Sequence, residues 1–102
     1  MTSIWKVLAE VRVEPGDLPS GSTEAFTNIV TWGDSAEEVE RKISDYLSSF
    51  KWQLLSMEEA APIDENLDYG EAIGDMIERT RENPKAIILG SFFSYPPTEV
   101  TG

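Results

Sequence analysis

The chain contains no cysteine and no histidine. Without cysteine there is no disulfide framework, no thiolate metal site and no thiol nucleophile. Without histidine the commonest general base at neutral pH is gone, and with it the commonest zinc ligand. Basic residues are scarce: 8 Lys and Arg stand against 19 Asp and Glu, a formal net charge of −11. A surface of that sign repels phosphate backbones and anionic lipid, so direct binding to nucleic acid or to a membrane surface is not expected. No run approaches the ~18 apolar residues of a membrane-spanning helix. Residues 1–15 lack the charged and long apolar segments of a secretory leader, so the expected location is the cytoplasm. Gly-rich phosphate loops of the GxxxxGK[ST] and GxGxxG types are missing too. Nucleophilic catalysis would have to use Ser or Thr without His or Cys.

What is present has the make-up of a folded domain. With 102 residues, 40% apolar and 26% charged, the chain matches ordinary globular usage and suffices for one core. Three Trp, four Phe and three Tyr supply the aromatic mass.

Ile4–Glu14 alternates as a strand with one buried face. Trp5, Val7, Ala9, Val11 and Val13 point one way; Lys6, Glu10, Arg12 and Glu14 point the other, with Leu8 the exception. PGDLPSGSTE is a loop. The β-branched and aromatic run 25–32 reads as a second strand, the antiparallel partner of the first. The period then changes. A capping box, either Asp34 with Glu37 or Ser35 with Glu38, opens a helix over 35–50 whose apolar face is Val39, Ile43, Tyr46, Leu47 and Phe50.

Trp52 to about Ala60 predicts a third strand, ended by Pro62. Asp68 with Glu71 forms another capping box. Tyr69, Ile73, Met76, Ile77 and Thr80 then share one face of a second helix, which stops at Asn83-Pro84. Ala86–Leu89 is the kind of apolar run found in a strand covered on both sides. In SFFSYPP, alternation forbids Phe92 and Phe93 from entering the same layer; one packs under a helix and the other meets an open sheet face. Core packing is the expected role of that aromatic cluster, Tyr95 included. Residues from about 96 to 102 read as a flexible tail.

These elements predict the order ββαβαβ in a single α+β domain over 1–102. The expected architecture is a two-layer sandwich: a mostly antiparallel or mixed sheet of about four strands, with two helices packed on one face.

Residues 57–71, MEEAAPIDENLDYGE, carry six carboxylates and no base. Asp64, Asn66 and Asp68 match the opening of an EF-hand loop, but the turn position is Tyr69 where Gly is needed, and the last ligand position is Asp75 in place of Glu. No metal and no cofactor is expected. Paired-carboxylate catalysis needs two acids across a walled cleft, and the plainer reading of these acids is solvated carboxylates. Gly70 and Gly74 form a G-xxx-G pair whose expected role is a close helix-to-sheet approach.

At 100° per residue, Asp68, Glu71, Asp75, Glu78 and Glu82 fall on one stripe of the second helix, opposite its apolar face. Asp64 extends the stripe into the preceding loop. The first helix compensates its acids through Glu37–Arg41 and Glu38–Lys42; the second does so only at Asp75–Arg79. Glu71–Asp75 and Glu78–Glu82 set like charges at i,i+4, each costing about 0.2–0.5 kcal/mol. From residue 52 to 78 there are eight acids and no Lys or Arg.

Solubility alone accounts for such a face in the plainest reading. The sharper expectation is a protein without enzymatic activity that binds a basic partner through Asp64, Asp68, Glu71, Asp75, Glu78 and Glu82. Immunity proteins against basic toxins and DNA mimics are analogies of class for small acidic domains of this kind. An alternative expectation is a small ligand-binding or enzyme-accessory domain with an apolar pocket between helices and sheet, lined by Trp32, Trp52 or Tyr69. A third is a homodimer joined through the open sheet face.

Overall fold

The computed structural model of the chain describes residues 2–18 and 21–93. Along it run β1 (Ser3–Arg12), β2 (Glu24–Gly33), α1 (Ala36–Ser48), β3 (Gln53–Pro62), α2 (Gly70–Arg81) and β4 (Ile87–Phe93), the expected ββαβαβ order. The strands form one four-stranded sheet in the order β3-β1-β2-β4. Every neighbouring pair is antiparallel, which places the protein in the α+β class. The expected tail at 96–102, and Tyr95, lie outside the described residues.

β1 and β2 pair without interruption from Ser3↔Gly33 to Arg12↔Glu24, and the Val13 N–H donates to the Thr23 carbonyl at 2.8 Å just beyond. This register assigns the faces of the sheet. Trp5, Val7, Ala9 and Val11 sit beside Thr31, Ile29, Thr27 and Ala25 on one face. Ile4, Lys6, Leu8 and Glu10 sit beside Trp32, Val30, Asn28 and Phe26 on the other.

α1 packs Val39, Ile43 and Leu47 onto the first face, against Val7, Ala9, Val11 and Ile29. α2 packs Met76 and Ile77 onto the second, against Ile4 and Val30. Helix-on-sheet packing is as expected, with one correction. The helices do not share a face; each forms its own helix-on-sheet layer pair with the common sheet. The polar alternation of β1 hides this, because Lys6 and Glu10 mark the second face as solvent-exposed. Its buried apolar members in β1 and β2 are Ile4, Leu8 and Val30, and Leu8 is only 7% exposed. β4 conforms to its reading as a strand covered on both sides: Ile87 and Leu89 join the α1 core, and Ile88 the α2 core. Phe92 also enters the α1 core, while Phe93 pairs with Phe26 on the opposite face.

Buried threonines tie β2 to the last strand. The Thr31 hydroxyl donates to the Ala86 carbonyl at 2.9 Å, and the Thr27 hydroxyl to the Gly90 carbonyl at 3.2 Å. Both bonds satisfy polar groups that would otherwise be costly to bury.

The capping box that forms at α1 is Ser35 with Glu38. Ser35 Oγ accepts from the Glu38 N–H at 3.1 Å, and the Glu38 carboxylate accepts from the Asp34 N–H at 2.6 Å. The helix exits through Lys51 at φ 65°, and the Trp52 N–H returns to the Leu47 carbonyl at 3.0 Å.

Candidate functional site

The site is built from the loop after β3 and from α2. After Pro62 the chain folds on itself through short-range bonds. The Asp64 N–H donates to the Tyr69 hydroxyl at 2.8 Å, the Asp64 carboxylate accepts from the Asn66 N–H at 2.9 Å, and the Leu67 N–H donates to the Asp64 carbonyl at 3.0 Å. Asp68 then accepts from the Gly70 N–H at 2.8 Å, an Asx-type turn. The capping box expected at Asp68 and Glu71 does not form. Gly70, at φ 87°, turns the chain in the left-handed region that favours glycine, and the N-cap position falls to Tyr69, which makes no side-chain cap bond.

Asp64 and Asp68 are thus exposed on a self-bonded loop, and Glu71, Asp75 and Glu78 are exposed on α2, with Glu82 at its C-cap. The helix carries these acids on the side away from Met76, Ile77 and Thr80, its buried residues. Between 64 and 82 there are seven acids and two arginines, a local charge of −5.

Compensation differs from the sequence expectation at one end. Asp75 pairs with Arg79 at 3.7 Å as the i,i+4 spacing implies. Glu78, expected to be unpaired, meets Arg81 at 3.5 Å, and Arg81 also reaches Glu65 in the loop at 3.4 Å. Among the described residues, Asp64, Asp68, Glu71 and Glu82 make no ion pair. The arginine pairs are solvent-exposed, and such pairs contribute about 0–1 kcal/mol each, so they leave the negative potential largely intact.

The G-xxx-G pair is the second correction. A Cβ built on Gly70 or Gly74 meets nothing within 4 Å, so neither glycine mediates a close approach to the sheet. They open a surface groove of about 190 Å³ within the acidic stripe, lined by the apolar Ile63, Leu67 and Ile77, by Tyr69, and by the charged Asp64, Glu65, Asp68, Glu78 and Arg81. Leu67 is 59% exposed, one of two large apolar side chains left open to solvent among the described residues. Residue types alone miss this apolar element; its only signals are the glycine pair and a leucine in an otherwise polar loop.

No family model, curated protein or solved structure matches this chain. What the site can do rests on its own chemistry. Among the described residues, no group of three or more Asp or Glu is arranged to hold a metal ion. Carboxylate oxygens of Asp64 and Asp68, the positions nearest a calcium-loop pattern, accept bonds from their own loop's backbone.

Two Ser-x-x-Lys spacings occur, and neither forms a nucleophile pair. Ser3 and Lys6 lie on opposite faces of β1. Ser48 bonds the Asp45 carbonyl at 2.9 Å, and Lys51 lies past the helix end in left-handed backbone.

Trp32, Tyr69 and Trp52 each line a surface groove; those of Trp32 and Tyr69 adjoin through Ile63, Glu65 and Arg81, and that of Trp52 shares no lining residue with either. The Trp32 indole N–H is already used by the end of α2, donating to the Thr80 and Asn83 carbonyls at 2.7 and 3.1 Å.

Proposed function

We propose that this is a binding protein without a reaction of its own, which occupies a basic partner protein through the outward face of α2 and the loop before it. The observation that carries the reading is the pairing of unlike elements at one place. An exposed carboxylate row (Asp64, Asp68, Glu71, Asp75, Glu78 and Glu82) meets a groove that Asp64, Asp68 and Glu78 line together with the apolar Ile63, Leu67 and Ile77, and Leu67 is left exposed there. The carboxylates steer a cationic surface and set its orientation. Leu67, with Ile63 and Ile77 in the groove, supplies what charge alone does not, an apolar contact set among carboxylates.

A helix and a self-bonded loop present these groups already ordered, which reduces the entropy lost on binding. Basic toxins and nucleic-acid-binding proteins are the partner classes whose surfaces fit, and either would be inhibited by occupation.

The test is capture of partners from native lysate at low salt, followed by elution in a salt gradient. The triple variant Glu71→Lys/Asp75→Lys/Glu78→Lys serves as control. A basic protein eluting with salt, bound at least about a hundredfold more weakly by the triple variant, is the expected result, since close interfacial charge pairs couple by more than ~1.5 kcal/mol each. Affinity unchanged by the triple variant, or by raised salt, ends the proposal.

A further inference from the structure

The two edges of the sheet are built differently. β3 forms one edge and is guarded in several ways: two irregularities in its pairing with β1, the carboxylates Glu58 and Glu59, and Pro62 at its end. Such features discourage edge-to-edge pairing. β4 forms the other edge, with the sequence IILGSFF. Of the four strands it alone carries no charged residue. Its single irregularity lies where it pairs with β2, opposite Thr27–Ile29.

The outer edge of β4 also forms part of a groove of about 380 Å³. Tyr46, Phe50 and Trp52 wall it from the α1 side and Arg79 from the α2 side. The aromatic wall is a continuous series: Tyr46 meets Phe50 edge-on at 5.2 Å, Phe50 meets Trp52 at 5.3 Å, and Trp52 meets Phe92 edge-on at 5.8 Å. Phe50, 46% exposed, is the second large apolar side chain left open to solvent among the described residues.

We infer that this groove receives β4 of a second copy of the chain, joining the two sheets antiparallel into one of eight strands. The floor calls for a strand, because an edge offers a row of backbone N–H and C=O groups that only another extended backbone satisfies. The aromatic wall calls for an apolar strand, and β4 itself is one. Charge selects the same contact. Two chains of net charge −11 repel wherever carboxylates meet. The lining of this groove holds no carboxylate, and its one charged group, Arg79, is already paired with Asp75 at 3.7 Å. A two-fold axis between the two β4 strands makes the contact self-complementary and closed.

Sedimentation equilibrium of the full chain tests this between roughly 1 μM and 1 mM, the Kd range of modest interfaces. The expected result is a mass rising toward twice 11.4 kDa, with amide exchange in Ile87–Phe93 slowing as concentration rises while Gln53–Pro62 is unchanged. The dimer should hold or tighten in high salt, the reverse of a complex made through the acidic face. Ser91→Lys, at an exposed position of β4, and Phe50→Glu should each weaken dimerisation at least about tenfold with unchanged circular dichroism. Phe26→Lys, on the open part of the sheet face, should dimerise like the parent. A mass of one chain at every concentration overturns the inference and leaves the groove to a foreign strand. Loss of the dimer in Phe26→Lys but not in the edge variants overturns it in favour of the sheet face.

Discussion

Three glycines of this chain respond to substitution in opposite ways, and the difference separates fold from function. At Gly33 an added Cβ would collide with Val39 Cγ2 in the first turn of α1. Gly33→Ala should therefore destabilise the protein by about 1–3 kcal/mol, read as a lowered urea midpoint, because a packed core resists an extra methyl. At Gly70 there is open space but the backbone is left-handed, so Gly70→Ala costs about 1–2 kcal/mol through conformation alone. Gly74 has neither constraint: it lies inside α2, and an added methyl would meet nothing within 4 Å. Gly74→Ala should raise stability by up to about 1 kcal/mol through helix propensity. The same methyl narrows the groove within the acidic stripe. A variant with a higher melting temperature and weaker partner binding would support use of that groove; unchanged binding would remove it from the interface.

At the scale of elements, local chemistry is legible where it closes within a few residues and illegible where distant segments complete it. Ser35 and Glu38 form their capping box as their spacing implies, and Ser35→Ala should cost about 1 kcal/mol in thermal or urea unfolding. Asp68 and Glu71 have the same spacing without the box, because the turn at Gly70 aims the Asp68 carboxylate at the Gly70 N–H. Asp68→Ala should thus cost less than Ser35→Ala; an equal or larger loss would show that Asp68 caps α2 after all.

Strand alternation in β1 and β2 conveys the element order, the antiparallel pairing and the split of Phe92 from Phe93. It does not convey which face each helix covers. Period-2 reasoning assigns the face of Lys6 and Glu10 to solvent, yet α2 shields one end of it through Ile4 and Val30. The acidic residues of α2 are readable from helical spacing. Arg81 as a bridge between Glu78 and Glu65 is not, since it depends on how the loop folds back. For the same reason the groove at Gly74 is visible only in three dimensions.

Taken as a whole molecule, a chain of net charge −11 is compacted against its own repulsion. Added salt should therefore raise its unfolding midpoint, because exposed like charges are screened beyond about 8 Å at physiological ionic strength. The triple reversal Glu71→Lys/Asp75→Lys/Glu78→Lys moves three exposed residues from negative to positive, taking the net charge from −11 to −5. It turns the like-charge neighbours Glu78–Glu82 into an opposite pair but leaves 71 and 75 alike and removes the exposed Asp75–Arg79 and Glu78–Arg81 pairs. These local effects of about 0.2–0.5 kcal/mol each oppose the gain from lower net charge, so the variant should stay within about 1 kcal/mol of the parent and respond less to added salt. That outcome separates the two accounts of the acidic face. If the carboxylates serve solubility alone, the variant stays folded, precipitates more readily near neutral pH and captures the same proteins as the parent. If they serve a basic partner, the variant stays folded and stable while the salt-eluted partner is lost. Stability held and binding lost is the expected pair of results, read together from urea unfolding and lysate capture on the same preparation.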